Sequence, residues 1–464
     1  SDESLSIFRY NESAGISSLD PAFAKDQASI WVANQIFDGL VQLDSSLNIL
    51  PCIAHSWQIS EDAKGYTFLL RDDVYFHSHE YFNGLGDRKV KASDFVYSFD
   101  RLTDKNVASP GAWVMNNVDY YEALNDSTLS IHLKEAFPPF LGLLTMPYCS
   151  VVPRKIVENT NFRDVPVGTG PFHFQYWKEN VKLVLRKNNA YHENGIPLLD
   201  AVAITFIKDK QTAFLEFIKG NLDFISGLDA SYKDEVLTPQ GELQNDYKGK
   251  IQLQTLPYLN TEYLGFLMDE NNLSPTQHLA VRKAINYGFD RQKMMTYLRN
   301  NIGSPATEGF VPKGLPSFTD SLNGFDYNPD LSRKLLADAA IGSPISIELN
   351  TTSSYLDLCE FIQNQLSDVG ISVEININPP STHRQMVATS KLDFFRGSWV
   401  ADYADAENYL ALFYSKNFCP NGPNYTHFSN PVYDEYYELA LKEVSLEKRQ
   451  YYYQLMDQMI LDNA

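Results

Sequence analysis

Two opposite charges six positions apart, Arg396 and Asp402, bracket the end of an aromatic and β-branched run, Leu392 to Val400, in this 464-residue chain. The run reads as a strand. Its alternation places Phe395, Gly397 and Trp399 on one face and Phe394, Arg396 and Ser398 on the other. A guanidinium and a carboxylate so spaced match the two ends of a short extended peptide. Six extended residues span at most roughly 20 Å, and a long arginine side chain shortens that reach. An exposed strand edge would supply main-chain partners between the ends, with Trp399 as a flat cover. That pattern is β-augmentation with charged end-anchors. The same residues also read as a core strand and a turn, with both charges in structural ion pairs.

Other constellations are weaker. Gly168 and Gly170 in VPVGTGPF resemble neither nucleotide fingerprint, because their spacing is wrong and no lysine follows in a P-loop position. This Pro/Gly segment reads as a turn crossing between domains. His77, His79 and Glu80 offer a local cation cluster, although isolated histidines are more often structural. No GxSxG elbow or HExxH pair marks a hydrolase, and no cofactor is expected. Cys52, Cys149, Cys359 and Cys419 lie far apart without a CxxC pair. They form neither a zinc motif nor a disulfide scaffold, though one bridge stays open.

Composition bounds the rest. Hydrophobic residues at 44% and charged residues at 21% are ordinary for a globular chain long enough for two or three domains. No run of eighteen apolar residues exists, so no spanning helix is expected. Ser1 to Ser4 is polar and does not read as an export signal. A net charge of −20 disfavours nucleic acid and anionic membranes. Tyrosine and phenylalanine, 28 each, are enough to build amphipathic binding surfaces as well as cores.

Several elements must position the Arg396–Asp402 pair. Gln27 to Leu40 reads as a helix with Ile30, Ala33, Asn34, Phe37 and Leu40 on one stripe. Tyr66 to Leu70 and Val74 to Phe76 read as a hairpin, and Lys91 to Phe99 as a helix capped by Ser93. Phe172 to Tyr176 and Val181 to Leu185 form a second hairpin, followed by a strand from Val202 to Ile207. Helices are expected over Leu279 to Gly288, from Asp290 to Leu298, and from Asn328 to near Gly342. Ile345 to Leu349, a helix carrying Cys359, Ile362 and Leu366, and the alternating Ile371 to Ile377 predict a βαβ unit with parallel strands. Asn430 and Ser445 begin the last two helices.

Six segments in order resemble the family 5 extracellular solute-binding proteins, the dipeptide, oligopeptide and nickel receptors of ABC importers. They are LDPAFAKDQASIWVANQIFDGLV, AHSWQISEDAKGYTFLLRDDVYFH, VKASDFVYSFDRL, VGTGPF, LAVRKAINYGFDR and VADYADAENYL. The resemblance implies a two-lobed α/β periplasmic-binding-protein fold (type II, cluster C) with an inserted domain, closing over its ligand. It implies domain I at 1–43 and 167–256, domain II at 44–166, and domain III at 257–464. Family members continue past this end with strands returning to domain I, whereas the last helix here still runs at Ala464. The loop after Phe76 is longer than the family's turn.

By the same resemblance Asp402 holds a peptide's α-amine and Arg396 the carboxylate of a short peptide. Main chain at Ser398 to Val400 and near Gly15 and Ile16 would pair with the ligand backbone, and Trp113 would line a pocket. The implied role is a non-catalytic, monomeric receptor in the periplasm or on the outer face of the cell membrane, with or without a lipid anchor, that binds short peptides and delivers them to an ABC permease. The alternatives are capture of nickel, a metallophore or another non-peptide solute, and peptide sensing rather than import.

Overall fold

Ile345, Ile347 and Leu349 on strand Ile345–Thr351, and Ile371 and Val373 on Ile371–Ile377, point into a core that also takes one face of the intervening helix, Leu356–Asp368. A computed structural model describes residues 5–229, 232–269, 271–341 and 344–464. The polar start Ser1 to Ser4 and the helix stop expected at Gly342 lie outside them. The chain divides into two compact units, Ser1–Lys233 and Asp234–Ala464.

The first unit holds ten strands: β1 (Ile7–Asn11), β2 (Val41–Leu43), β3 (Ile49–Pro51), β4 (Ala54–Ile59), β5 (Gly65–Leu70), β6 (Val118–Asn125), β7 (Thr128–Leu133), β8 (Phe172–Lys178), β9 (Lys182–Lys187) and β10 (Ala201–Thr205). One sheet has the order β1-β10-β9-β8, with β1 and β10 parallel and the expected β8–β9 hairpin beside them. A second, antiparallel sheet runs β4-β5-β7-β6, and β2 and β3 pair separately.

Three local readings are corrected here. Tyr66 to Leu70 does not turn back on Val74 to Phe76; β5 pairs with β4 and β7. Val74 and Phe76 instead bond to Val90 and Arg88, on the far side of the long loop. Local pattern carries no signal for that distant partner. The helix Ala92–Thr103 is capped by Asp94, whose carboxylate accepts the Lys91 amide at 2.8 Å, and Ser93 is exposed. The first helix stops at Ile36 and buries Ala28, Ser29, Val32, Ala33 and Ile36, leaving Asn34 exposed.

The reason for the early stop is VGTGPF. The Gly170 amide donates to the Ile36 carbonyl at 2.8 Å, drawing the strap across the helix end. A Cβ on Gly168 would stand 2.1 Å from the Ile36 carbonyl oxygen, so only glycine fits. The expected crossing segment is therefore a close backbone-on-backbone contact.

In the second unit β11 (Asn260–Phe266), β12 (Ile345–Thr351), β13 (Ile371–Ile377) and β14 (Phe394–Val400) form one sheet in the order β11-β14-β12-β13. The predicted β12–helix–β13 unit forms, with its strands parallel. Leu279–Gly288 is helical as read, and Asp290, Asn328, Asn430 and Ser445 cap the helices they were expected to start. The expected α/β class stands. Among the described residues no helix is long and apolar enough to cross a membrane.

Candidate ligand-binding site

The sheet sets the geometry of Arg396 to Asp402. β14 is not an edge strand: β11 covers one side over its full length, from Asn260↔Val400 to Phe266↔Phe394. Its other side meets β12 at a single register pair, Asn350↔Phe395. Ala401 donates to the Leu259 carbonyl at 3.0 Å, so odd-numbered residues make the β11 bonds. The amides of Arg396, Ser398 and Val400 therefore turn away from β11. The His383 ring bonds the Arg396 carbonyl at 2.8 Å. Ser398 and Val400 lie past the end of β12 and are exposed. The expected free edge is thus two residues long and falls where main-chain partners were sought.

Glycine in mid-strand has a packing cause. A Cβ on Gly397 would lie 2.4 Å from the ring of Tyr263, its cross-strand neighbour, and one on Gly265 would lie 2.4 Å from the ring of Phe395. Each aromatic ring roofs the glycine opposite, which fixes the β11–β14 register.

Asp402 follows β14 in a loop held almost everywhere except at its carboxylate. Asn408 Oδ1 accepts the Asp402 amide at 3.1 Å and the Trp399 indole N–H at 2.9 Å. Arg449 pairs with Asp405 at 3.5 Å, and Tyr403 donates to buried Glu407. The Asp402 carboxylate is exposed and has no hydrogen-bond or ion-pair partner among the described residues. A rigid loop presents one uncompensated negative charge, suited to an ammonium ligand.

Arg396 differs. Its guanidinium stacks 3.2 Å from the Tyr355 ring centroid and pairs with Glu262, and its side chain is only 14% exposed. Its Nε is buried without a partner. Glu262 also accepts from the Ser398 hydroxyl at 2.9 Å. The ion pair admitted by the sequence therefore exists for Arg396 and not for Asp402.

The remaining expected site residues fall in the first unit. Gly15, in a turn at φ +75°, and Ile16 are partly buried, and Trp113 is 39% exposed in the short helix Ala112–Met115. His77 does not join a cation cluster. It is buried, its Nε2 bonds the Gly170 carbonyl at 2.9 Å, and its Nδ1 accepts the Gly168 amide at 3.3 Å. Burial holds its pKa down to about 4. All four cysteines are free and buried, which closes the question of a bridge.

The family model for bacterial extracellular solute-binding proteins, family 5, matches residues 48–418. The chain belongs to that family. The glutathione-binding protein GsiB of Escherichia coli K12 is 26% identical over 440 residues, covering 92% of this chain and 82% of the relative. The murein tripeptide-binding protein MppA, in its unliganded open form, superposes with a TM-score of 0.87 at 25% identity, covering 99% of this chain and 90% of the other. HbpA2 of Haemophilus parasuis superposes at 0.86 and 21% identity, with coverages of 99% and 92%, a likeness of fold. GsiB and MppA are both named as binding proteins.

Within this family 5 chain, Glu262, Tyr355, His383 and Asn408 shape the candidate site and escaped the sequence reading. Glu262 stands 134 residues before its arginine, and only the sheet brings them together. Asn408 had a local signal, lying six residues after Asp402 at the mouth of a short helix.

Glu407 makes this loop pH-sensitive. Burial pushes its carboxyl up to about 7, against hydroxyl donors from Tyr403 and Tyr437. Unfolded, it would ionise near ~4.3. Between these values the folded protein holds the extra proton, so the contribution favours folding at low pH and is lost as pH rises through about 7. Buried Asp457, also raised to about 7, adds with the same sign. Glu407→Gln is expected to match the wild-type melting temperature near pH 5 and exceed it near pH 8. Parallel melting curves at both pH values would contradict this.

Proposed function

We propose that this protein is an extracytoplasmic receptor that captures short peptides by their amino terminus and main chain and hands them to an ABC permease. The observation that carries this reading is the unpartnered Asp402 carboxylate beside the amide groups of Ser398 and Val400, which no strand of their sheet reaches. Peptides share these features whatever their side chains, so fixing them gives breadth of sequence. Relatives named for glutathione and for a murein tripeptide, both small peptides, support the ligand class. Gly15, Ile16 and Trp113 complete the proposed set, and residues 44–166 are proposed as the inserted domain.

Arg396 takes the carboxylate of the shortest ligands in competition with Glu262. Glu262→Gln should therefore favour free-acid peptides over their C-terminal amides by about tenfold more than wild type does, one charge-assisted bond's worth. Calorimetric titration of both forms reads the ratio, and an unchanged ratio would remove Arg396 from the site. The receptor reading itself is tested by native mass spectrometry of the purified protein with identification of what denaturation releases. Peptides of a few residues support it; a metal complex or a single non-peptide solute overturns it.

A further inference from the structure

Solute capture makes no use of a buried group in the first unit. Among the described residues, one set of three potential metal ligands comes together: Asp38, Cys52 and His192, all buried, with candidate ligand atoms within 4.8 Å of one another. They come from three separate stretches of chain. Asp38 follows the first helix, Cys52 lies between β3 and β4, and His192 lies beyond β9. Backbone bonds hold the first two stretches together: Cys52 donates to the Leu40 carbonyl and Ile53 to the Gly39 carbonyl, both at 3.2 Å. The Arg71 guanidinium grips the His192 carbonyl at 3.0 Å.

Within the cluster the Cys52 thiol donates to the Asp38 carboxylate, while the His192 contact is long. His192 Nε2 stands 3.3 Å from Asp38 Oδ2, longer than the ~2.7–2.9 Å of a good charge-assisted bond. Nε2 is the ring nitrogen that faces Asp38, and Nδ1 is buried with no partner among the described residues. Two ligand atoms, each about 2.0–2.1 Å from a tetrahedral zinc ion, stand about 3.3 Å apart. The observed separation matches that of two such ligands, and the Cys52 sulfur lies within 4.8 Å of both. The donor set of imidazole, thiolate and carboxylate suits zinc. An outer ring is present as well: Thr169 Oγ1 donates to Asp38 Oδ2 at 2.9 Å, and the Tyr191 hydroxyl donates to Oδ1 at 3.3 Å. Such donors orient a ligating carboxylate.

We propose that Asp38, Cys52 and His192 supply three ligands of a buried site for a zinc ion. On binding, the Cys52 S–H bond gives its proton to solvent and a Zn–S bond forms, while Asp38 binds as carboxylate and His192 as neutral imidazole. Burial raises the Cys52 thiol well above its ordinary range, and Asp38 and Glu193 add repulsion against a thiolate. The same carboxylates attract a dication. The ion would staple three segments of the unit that also carries VGTGPF, and binding energy of this kind is folding energy.

The test uses the full chain stripped by chelator and titrated with Zn²⁺ alone, then with Co²⁺. About one equivalent of zinc should bind and raise the melting temperature, and cobalt should give a thiolate charge-transfer band. Cys52→Ser should abolish the band, and His192→Asn should weaken zinc binding at least about tenfold. His79→Ala, which removes a histidine outside the cluster, should change neither. A wild-type protein with no cobalt–thiolate band overturns the proposal even if the variants fail to fold. A zinc-induced shift that survives in both variants does the same and assigns the metal to the surface.

Discussion

Asp402→Ala is expected to weaken binding of short peptides by roughly 30- to 4,000-fold, the equivalent of about 2–5 kcal/mol for a desolvated charge pair stripped of one partner. The folded chain should hardly notice the change. The carboxylate is exposed and makes no internal bond, so stability should stay within about 0.5 kcal/mol of wild type. The loop keeps its shape because Asn408 holds residue 402 through its amide, and Arg449 and Glu407 hold the residues after it. Titrating a peptide and its N-acetylated form against both proteins isolates the contact. Acetylation should cost wild type about as much as the substitution does, and should cost the variant little, because both changes remove the same pair. Equal affinity of wild type and variant for the free peptide would end the amine-anchor assignment.

Gly168→Ala should destabilise the first unit by at least about 3 kcal/mol or prevent its folding. The added methyl would meet the Ile36 carbonyl oxygen at 2.1 Å and the Phe37 ring at 2.6 Å. Backbone cannot give way as a side-chain tip can. Separating the strap from the helix end would also strain the hydrogen bond from the His77 amide to the Gly168 carbonyl at 2.7 Å and break that from the Gly170 amide to the Ile36 carbonyl at 2.8 Å. Gly86→Ala is the matched control: a Cβ there meets nothing within 4 Å. Chemical denaturation of both variants should separate them clearly. Similar midpoints would mean that the strap is looser than drawn.

Much of this protein was legible wherever structure is local. Asn328, Asn430 and Ser445 cap helices because a short polar side chain reaches the amides two or three residues on, and that spacing lies in the sequence. The parallel β12–β13 pair was legible because alternation, a helical stripe and alternation again admit one right-handed solution. The β5 hairpin failed for the opposite reason. An alternating strand advertises a buried face, not the partner at its edge, and the partners of β5 include a strand some sixty residues on.

The candidate site divides in the same way. That an aromatic-rich strand carries Arg396 and delivers Asp402 to a loop could be read from the chain alone, since period-two alternation and charge spacing are properties of the residue order. Which of the two charges stays available depends on how the strands pack. Glu262 reaches Arg396 by β11 lying antiparallel to β14, while no described group reaches the Asp402 carboxylate. The same packing confines the free main chain to Ser398 and Val400, because β12 ends one step too early to cover them. The Asp38, Cys52 and His192 cluster was equally invisible in sequence, with ligands 14 and 140 residues apart and no motif spacing. Electrostatic and coordination chemistry act through space over a few ångströms, and only folding turns separation along the chain into separation in space.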